Sequence, residues 1–120
     1  MITRETIEDF FANTRRLRDE GRARFNIDST CRWSFFFVDR DKEKLVNVGM
    51  YLEDSGYEVI GFLEPGPEDE DQETIYLRAD RVEQHTVDSI MARNSELYAV
   101  AEHFGVYDYD GMDVGAVDGP

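Results

Sequence analysis

Apolar residues along the chain recur first with helical spacing and then with strand spacing. From Thr3 to about Glu20, Ile7, Phe10, Phe11, Thr14 and Leu17 share one helical face; Thr3 or Thr6 can cap the start and Gly21 is a natural stop. Arg32 to Val38 is the clearest strand, with Trp33, Phe35 and Phe37 on one side and Arg32, Ser34, Phe36 and Val38 on the other. Apolar residues on both sides predict a central strand in a sheet covered on both faces. Asp39 or Asp41 can cap a second helix, whose stripe is Leu45, Val48, Gly49 and Leu52 and which Gly56 ends.

Tyr57 to Leu63 reads as a second strand. Glu64 to Gln72 holds Pro65, Gly66, Pro67 and four consecutive acids, a composition that excludes regular structure. A third strand begins near Glu73 and ends between Ala79 and His85, with Ile75 and Leu77 on one face and Thr74, Tyr76 and Arg78 on the other. Thr86 then caps the most regular helix, where Val87, Ile90, Met91, Asn94, Leu97, Tyr98, Ala101 and Phe104 share a face and Gly105 closes the run. Val106 to Tyr109 makes a last short strand, Asp110-Gly111 reads as a turn, and residues 116–120 read as a loose tail.

This order predicts an α+β fold: a ferredoxin-like βαββαβ antiparallel sheet preceded by an N-terminal α-helix, forming one domain over residues 1–115. The two later helices are expected to cover one sheet face. The leading helix, or a second copy of the chain in a homodimer, is expected to cover the aromatic second face.

Composition sharpens this picture. The 120 residues include 41% hydrophobic and 12% aromatic residues, enough for a core without metals or disulfides. The single cysteine, Cys31, excludes an intramolecular disulfide, and beside a hydrophobic strand its thiol is expected to be buried, raised in pKa and unreactive. Glu8 and Asp9 break the run from Ile7 to Ala12, no apolar stretch approaches membrane-spanning length, and the cytoplasm is the expected address. The net charge of −14 is unevenly placed: residues 1–44 carry ten Lys/Arg and nine Asp/Glu, whereas residues 45–120 carry three and eighteen. Such a surface repels nucleic acid and anionic lipid and attracts basic protein patches.

Catalytic chemistry finds little support. His85 and His103, if on one helix, would stand roughly 27 Å apart, too far to share a metal. Asp108, Asp110 and Asp113 cluster around Gly111 as hard oxygen ligands can, but without calcium-loop spacing or its closing glutamate, so the turn explains them more simply. There is no serine in a glycine-flanked elbow and no phosphate-cradling loop. The expectation is therefore no catalytic residue, no metal and no cofactor. An RNA-recognition surface would stack bases on Phe35 or Phe37 with Tyr76, yet the third strand lacks the basic-glycine-aromatic signature of such modules. A small-ligand or nucleic-acid-binding role for that aromatic face is the alternative reading. The loop Glu68-Asp69-Glu70-Asp71, with Glu64 and Glu73 nearby, is the one feature shaped like a tool, able to engage basic side chains of a partner; a solvated hairpin that blocks aggregation is the competing account.

The segment from Met91 to Gly115, MARNSELYAVAEHFGVYDYDGMDVG, resembles the C-terminal signature of the regulator of ribonuclease E activity B family. Leu97, Ala101, Glu102 and Phe104 match that family's final helix, and Tyr109, Asp110 and Gly111 match its Tyr-Asp-Gly turn, where Met112 replaces the usual tryptophan. The strand Arg32-Trp33-Ser34-Phe35-Phe36 and the turn Ser55-Gly56-Tyr57-Glu58-Val59 are also similar to family features. The resemblance implies a ferredoxin-like fold and a non-enzymatic protein that binds ribonuclease E and inhibits RNA decay. The family's best-known members add a long acidic C-terminal extension, whereas here Asp118 is the only acid after the turn segment. The expected protein-binding residues are Glu68, Asp69, Glu70, Asp71, Tyr109, Asp110, Gly111, Met112 and Asp113, set against a basic partner surface such as that of ribonuclease E. A methionine at position 112 would loosen any anchoring contact that a tryptophan makes there.

Overall fold

The computed structural model describes residues 1–118. Helix α1 spans Arg4–Asp19; the Thr3 hydroxyl accepts the Thr6 N–H at its start, and beyond its end the Arg22 N–H returns to the Leu17 carbonyl at 2.8 Å. Strand β1 is Cys31–Asp39 and helix α2 is Lys42–Asp54, capped by the Asp41 carboxylate, which accepts the Glu43 N–H. Asp39 is used differently. Its carboxylate accepts the N–H groups of Asp41 and Tyr107, each at 2.7 Å, and so ties the end of β1 to the segment that follows the last helix. Strands β2, Glu58–Leu63, and β3, Ile75–Glu83, flank the acidic loop. Helix α3, Val87–Phe104, opens with a reciprocal Thr86–Ser89 cap and closes at Gly105, whose φ of +66° is the left-handed conformation that favours glycine. Strand β4 is Asp108–Gly115.

The four strands form one sheet in the order β2-β3-β1-β4, and every neighbouring pair is antiparallel. Thus β1 and β2, joined by α2, run parallel with β3 inserted between them. In the same way β3 and β4, joined by α3, enclose β1. The central position expected of β1 follows.

Coverage of the two faces differs from the sequence expectation. Trp33, Phe35 and Phe37 are each 0% exposed, and they point toward the helices. Phe11 of α1 lies 6.0 Å from Trp33 between ring centroids, and Leu45, Leu52, Ile90 and Leu97 of α2 and α3 belong to the same core. The leading helix therefore joins the later two on one side. The opposite face stays open because its strands carry charge there: Arg32, Arg78, Asp80, Glu58 and Asp113 share it, by the register of β1 with β3 and β4. Asp80, 0% exposed, is held between Arg78 (2.9 Å) and Arg32 (3.0 Å), and Arg32 also reaches Glu58 at 2.8 Å. Desolvating that network under a helix would cost more than burying the half-exposed Phe36 returns.

The last strand also corrects the reading. Asp110-Gly111 is not a turn. Pairing moves from Phe36↔Gly111 to Phe37↔Tyr109, leaving Asp110 as the extra residue of a bulge, and Gly111 accommodates it with φ of +119°. Strand β4 consequently runs to Gly115 rather than ending at Tyr109. Within the expected tail, the Val117 carbonyl accepts the Arg32 Nε–H at 3.0 Å, and residues 119–120 lie outside the described residues.

Candidate protein-binding site

The loop between β2 and β3 owes its shape to its own acids. Asp69 accepts the Gly66 N–H at 2.7 Å; Asp71 accepts the Glu73 and Thr74 N–H groups and the Thr74 hydroxyl. These bonds stabilise the charged form and hold the Asp71 carboxyl below its ordinary value. Glu73 pairs with Arg40 at 3.0 Å and Glu64 with Lys42 at 3.3 Å, so both loop ends are tied to the β1–α2 region. Glu68 and Glu70 are exposed and have no ion-pair partner among the described residues. The loop is thus a shaped surface that turns carboxylates outward.

Strand pairing joins Leu63, Tyr76, Val38 and Asp108 in one row across the sheet, so the loop and the start of β4 lie at the same end. A cavity of about 480 Å³ sits there, lined by Asp71, Thr74, Arg40, Lys44 and Tyr107 among others. Tyr107, 84% exposed, was not singled out by the sequence, where it reads as one more residue of a short strand.

The second group of expected site residues separates. Tyr109 is 1% exposed, and its hydroxyl donates to the Asn94 Oδ1 at 2.6 Å. Asn94 in turn donates to the Met112 Sδ at 3.5 Å. This explains a polar residue on the buried face of α3. Burial without a charged partner pushes the Tyr109 phenol far above its ordinary value, so it remains a neutral donor. Met112 and the buried Gly111 likewise face the protein's own packing, with the Ile2 side chain close to Gly111. Tyr109 therefore cannot offer its side chain to a partner without repacking, Gly111 is buried and has none to offer, and Met112 is half-buried against the core, where a larger aromatic would meet α3. Asp110 and Asp113 are exposed, but Asp113 lies on the open face opposite Ser34, four β1 positions from the row that contains Asp108. Asp110 has a raised pKa, chiefly from desolvation and then from the neighbouring Asp108.

Replacing Tyr109 with phenylalanine is expected to destabilise the protein by about 1–2 kcal/mol, because Asn94 loses its buried donor. Urea unfolding of the variant checks this; an unchanged midpoint would mean that water or a rotated amide satisfies Asn94.

Two constellations lay outside the sequence reading. One is the Arg32–Asp80–Arg78 network on the open face; its signal is the alternation Arg78-Ala79-Asp80, which puts opposite charges on one side of a strand. The other is centred on Glu83, which receives Arg93 at 2.8 Å, Arg81 at 2.9 Å and a short contact from His85. The Arg81 and Arg93 guanidinium carbons stand 5.0 and 5.7 Å from the Tyr57 ring centroid. His85 is thereby structural, also contacting Ser89. Among the described residues no three His, Cys, Asp or Glu side chains group closely enough to hold a metal ion, and no helix is long and apolar enough to cross a membrane. Burial raises the Cys31 thiol above its ordinary value.

The aromatic-face alternative loses its premise, since Phe35 and Phe37 lie under the helices while Tyr76 faces the other way. What remains is an acidic α+β protein with a carboxylate-rich loop at one end of its sheet. The chain belongs to the family described as regulator of ribonuclease activity B, whose model matches residues 12–114. No curated protein matches it. Membership makes it a member of a family of regulators of ribonuclease activity.

Proposed function

We propose that the chain is a non-enzymatic cytoplasmic regulator that docks on a basic surface of a ribonuclease E-type enzyme and lowers its rate of RNA decay. The strand order is read as the ferredoxin-like arrangement, with residues 1–115 acting as one unit. The observation that carries the proposal is the family match over residues 12–114. The charge distribution supports it: residues 45–120 hold eighteen acids against three bases, which disfavours direct RNA binding and favours a cationic protein surface. Glu68, Asp69, Glu70 and Asp71 supply the long-range attraction, joined by the exposed Asp110 and Asp113. Tyr109, Gly111 and Met112 contribute by fixing the bulge that presents Asp110.

The test is a cleavage assay with the purified ribonuclease E of the source organism, an RNA substrate and increasing amounts of the protein. Inhibition that weakens with added salt is expected. Changing the four loop acids to serine should weaken binding by roughly 10-fold or more at low salt, mainly through slower association. No binding and no inhibition by the unaltered protein at low salt would remove this target.

A further inference from the structure

The helix-covered side of the molecule contains a second surface of a different kind. A cavity of about 560 Å³ runs between α2 and α3, walled by Tyr51, Leu52, Leu97, Val100 and Phe104. Its far end is built from Tyr57 with Arg81 and Arg93. Tyr57 is 7% exposed and both guanidinium carbons lie within 6 Å of its ring centroid, yet its hydroxyl has no hydrogen-bond partner among the described residues. That oxygen is not sealed in the core: Trp33 Nε1 is the only buried side-chain polar atom without a partner among them. The hydroxyl is therefore an open donor and acceptor at the end of an apolar trough.

Tyr51, 48% exposed, brings the trough to the surface on the α2 side. From Arg93 to Phe104 it follows α3 for roughly 16 Å, about three helical turns. Tyrosine and arginine around an apolar slot are the composition of interface hot spots.

We infer that the α2–α3 trough anchors the protein partner by seating the apolar face of a basic amphipathic helix, with the Tyr57 hydroxyl bonding to it. The inference rests on the reading of the chain as a protein-binding regulator and names where that partner is gripped. Charge decides the occupant. The two arginines in the trough are already neutralised by Glu83 and Glu96. On the adjoining turns Glu53 and Asp54 of α2 and Glu102 of α3 are exposed acids, against one exposed base, Lys44, whose ammonium donates to the Gly105 carbonyl at 3.2 Å. An apolar stripe flanked by lysine or arginine matches that rim, whereas an acidic helix or a second copy of this chain, at −14, is repelled. The loop acids then steer the approach and the trough holds the docked helix.

The probe is a synthetic helix about 18 residues long, with leucine at i, i+3, i+4 and i+7 and lysine elsewhere, titrated into the full chain and followed by amide NMR shifts. A scrambled peptide of the same composition controls for charge. The amphipathic peptide is expected to shift Tyr51, Ala99, Val100 and His103 and to bind at least ~10-fold more tightly than the scrambled one. Ala99→Arg, at an exposed trough position, should abolish that advantage, and Tyr57→Phe should reduce it several-fold while the fold is unchanged. Equal affinity for both peptides, or shifts confined to residues 64–74, would overturn the inference. Repeating the titration with the ribonuclease separates the two claims. Binding that survives Ala99→Arg sinks the trough and leaves the regulator reading intact; peptide binding without ribonuclease binding does the reverse.

Discussion

Trp33→Ala is expected to lower the stability of the protein by about 3–5 kcal/mol, the range for removing a large aromatic from a packed core. Trp33 is 0% exposed, with Phe11, Phe10 and His85 at centroid distances of 6.0, 6.3 and 5.2 Å. It packs α1 against the sheet, so its loss also loosens that helix, which α3 still contacts. Since a small domain has only about 5–15 kcal/mol in total, the variant should be partly unfolded at mild urea concentrations. Trp33→Phe is expected to be much milder, because it deletes Nε1, a buried donor that has no partner among the described residues. Urea melts of both variants are the check. An alanine variant that loses less than about 2 kcal/mol would mean that α1 collapses into the space.

Glu83→Gln should produce the next largest effect, and its size should depend on pH. The cluster around Glu83 holds its carboxyl down to about 2, from an ordinary 4.5, as hydrogen bonds and charge from His85 and Arg93 outweigh the cost of burial. A carboxyl depressed on folding contributes stability above its unfolded value and loses it as pH falls toward the folded one. The contribution of Glu83 is therefore complete above about pH 4.5 and gone near pH 2, and the shift corresponds to about 3 kcal/mol. At neutral pH the glutamine variant should be less stable by about that amount, and the two proteins should converge in acid. Denaturant midpoints collected between pH 7 and pH 2 measure the gap. A gap that stays constant with pH would assign the loss to shape rather than charge. The same variant releases Arg81 and Arg93 at the end of the α2–α3 trough, so partner binding should weaken with it.

Most elements could be read from the pattern of residues because each is dictated locally. Thr3, Asp41 and Thr86 are caps that need only their own helix, and Gly105 closes α3 through its own backbone. Irregularity between Glu64 and Gln72 followed from its prolines and acids. The exposed loop carboxylates could also be found this way, since charge density is a property of the chain.

What could not be read depended on neighbours distant in sequence. The sequence makes β1 apolar on both sides; which side the helices cover is decided by the charges of β2, β3 and β4, whose register puts Asp80, Arg78, Glu58 and Asp113 beside Arg32 and Ser34. Asp110-Gly111 has the composition of a turn, but pairing with Phe36 and Phe37 across the sheet outweighs that local preference and makes it a bulge. Tyr109 has the composition of a contact residue, but its ring is buried with its hydroxyl on Asn94, a side chain of a helix that ends before it, and the same amide reaches Met112. The trough exists only because α2 and α3 lie side by side above Tyr57. Local chemistry set the elements of this protein and its charge; the covered face, the bulge and the surfaces left exposed were decided by long-range pairing, because only the folded chain determines which polar groups must share a buried side.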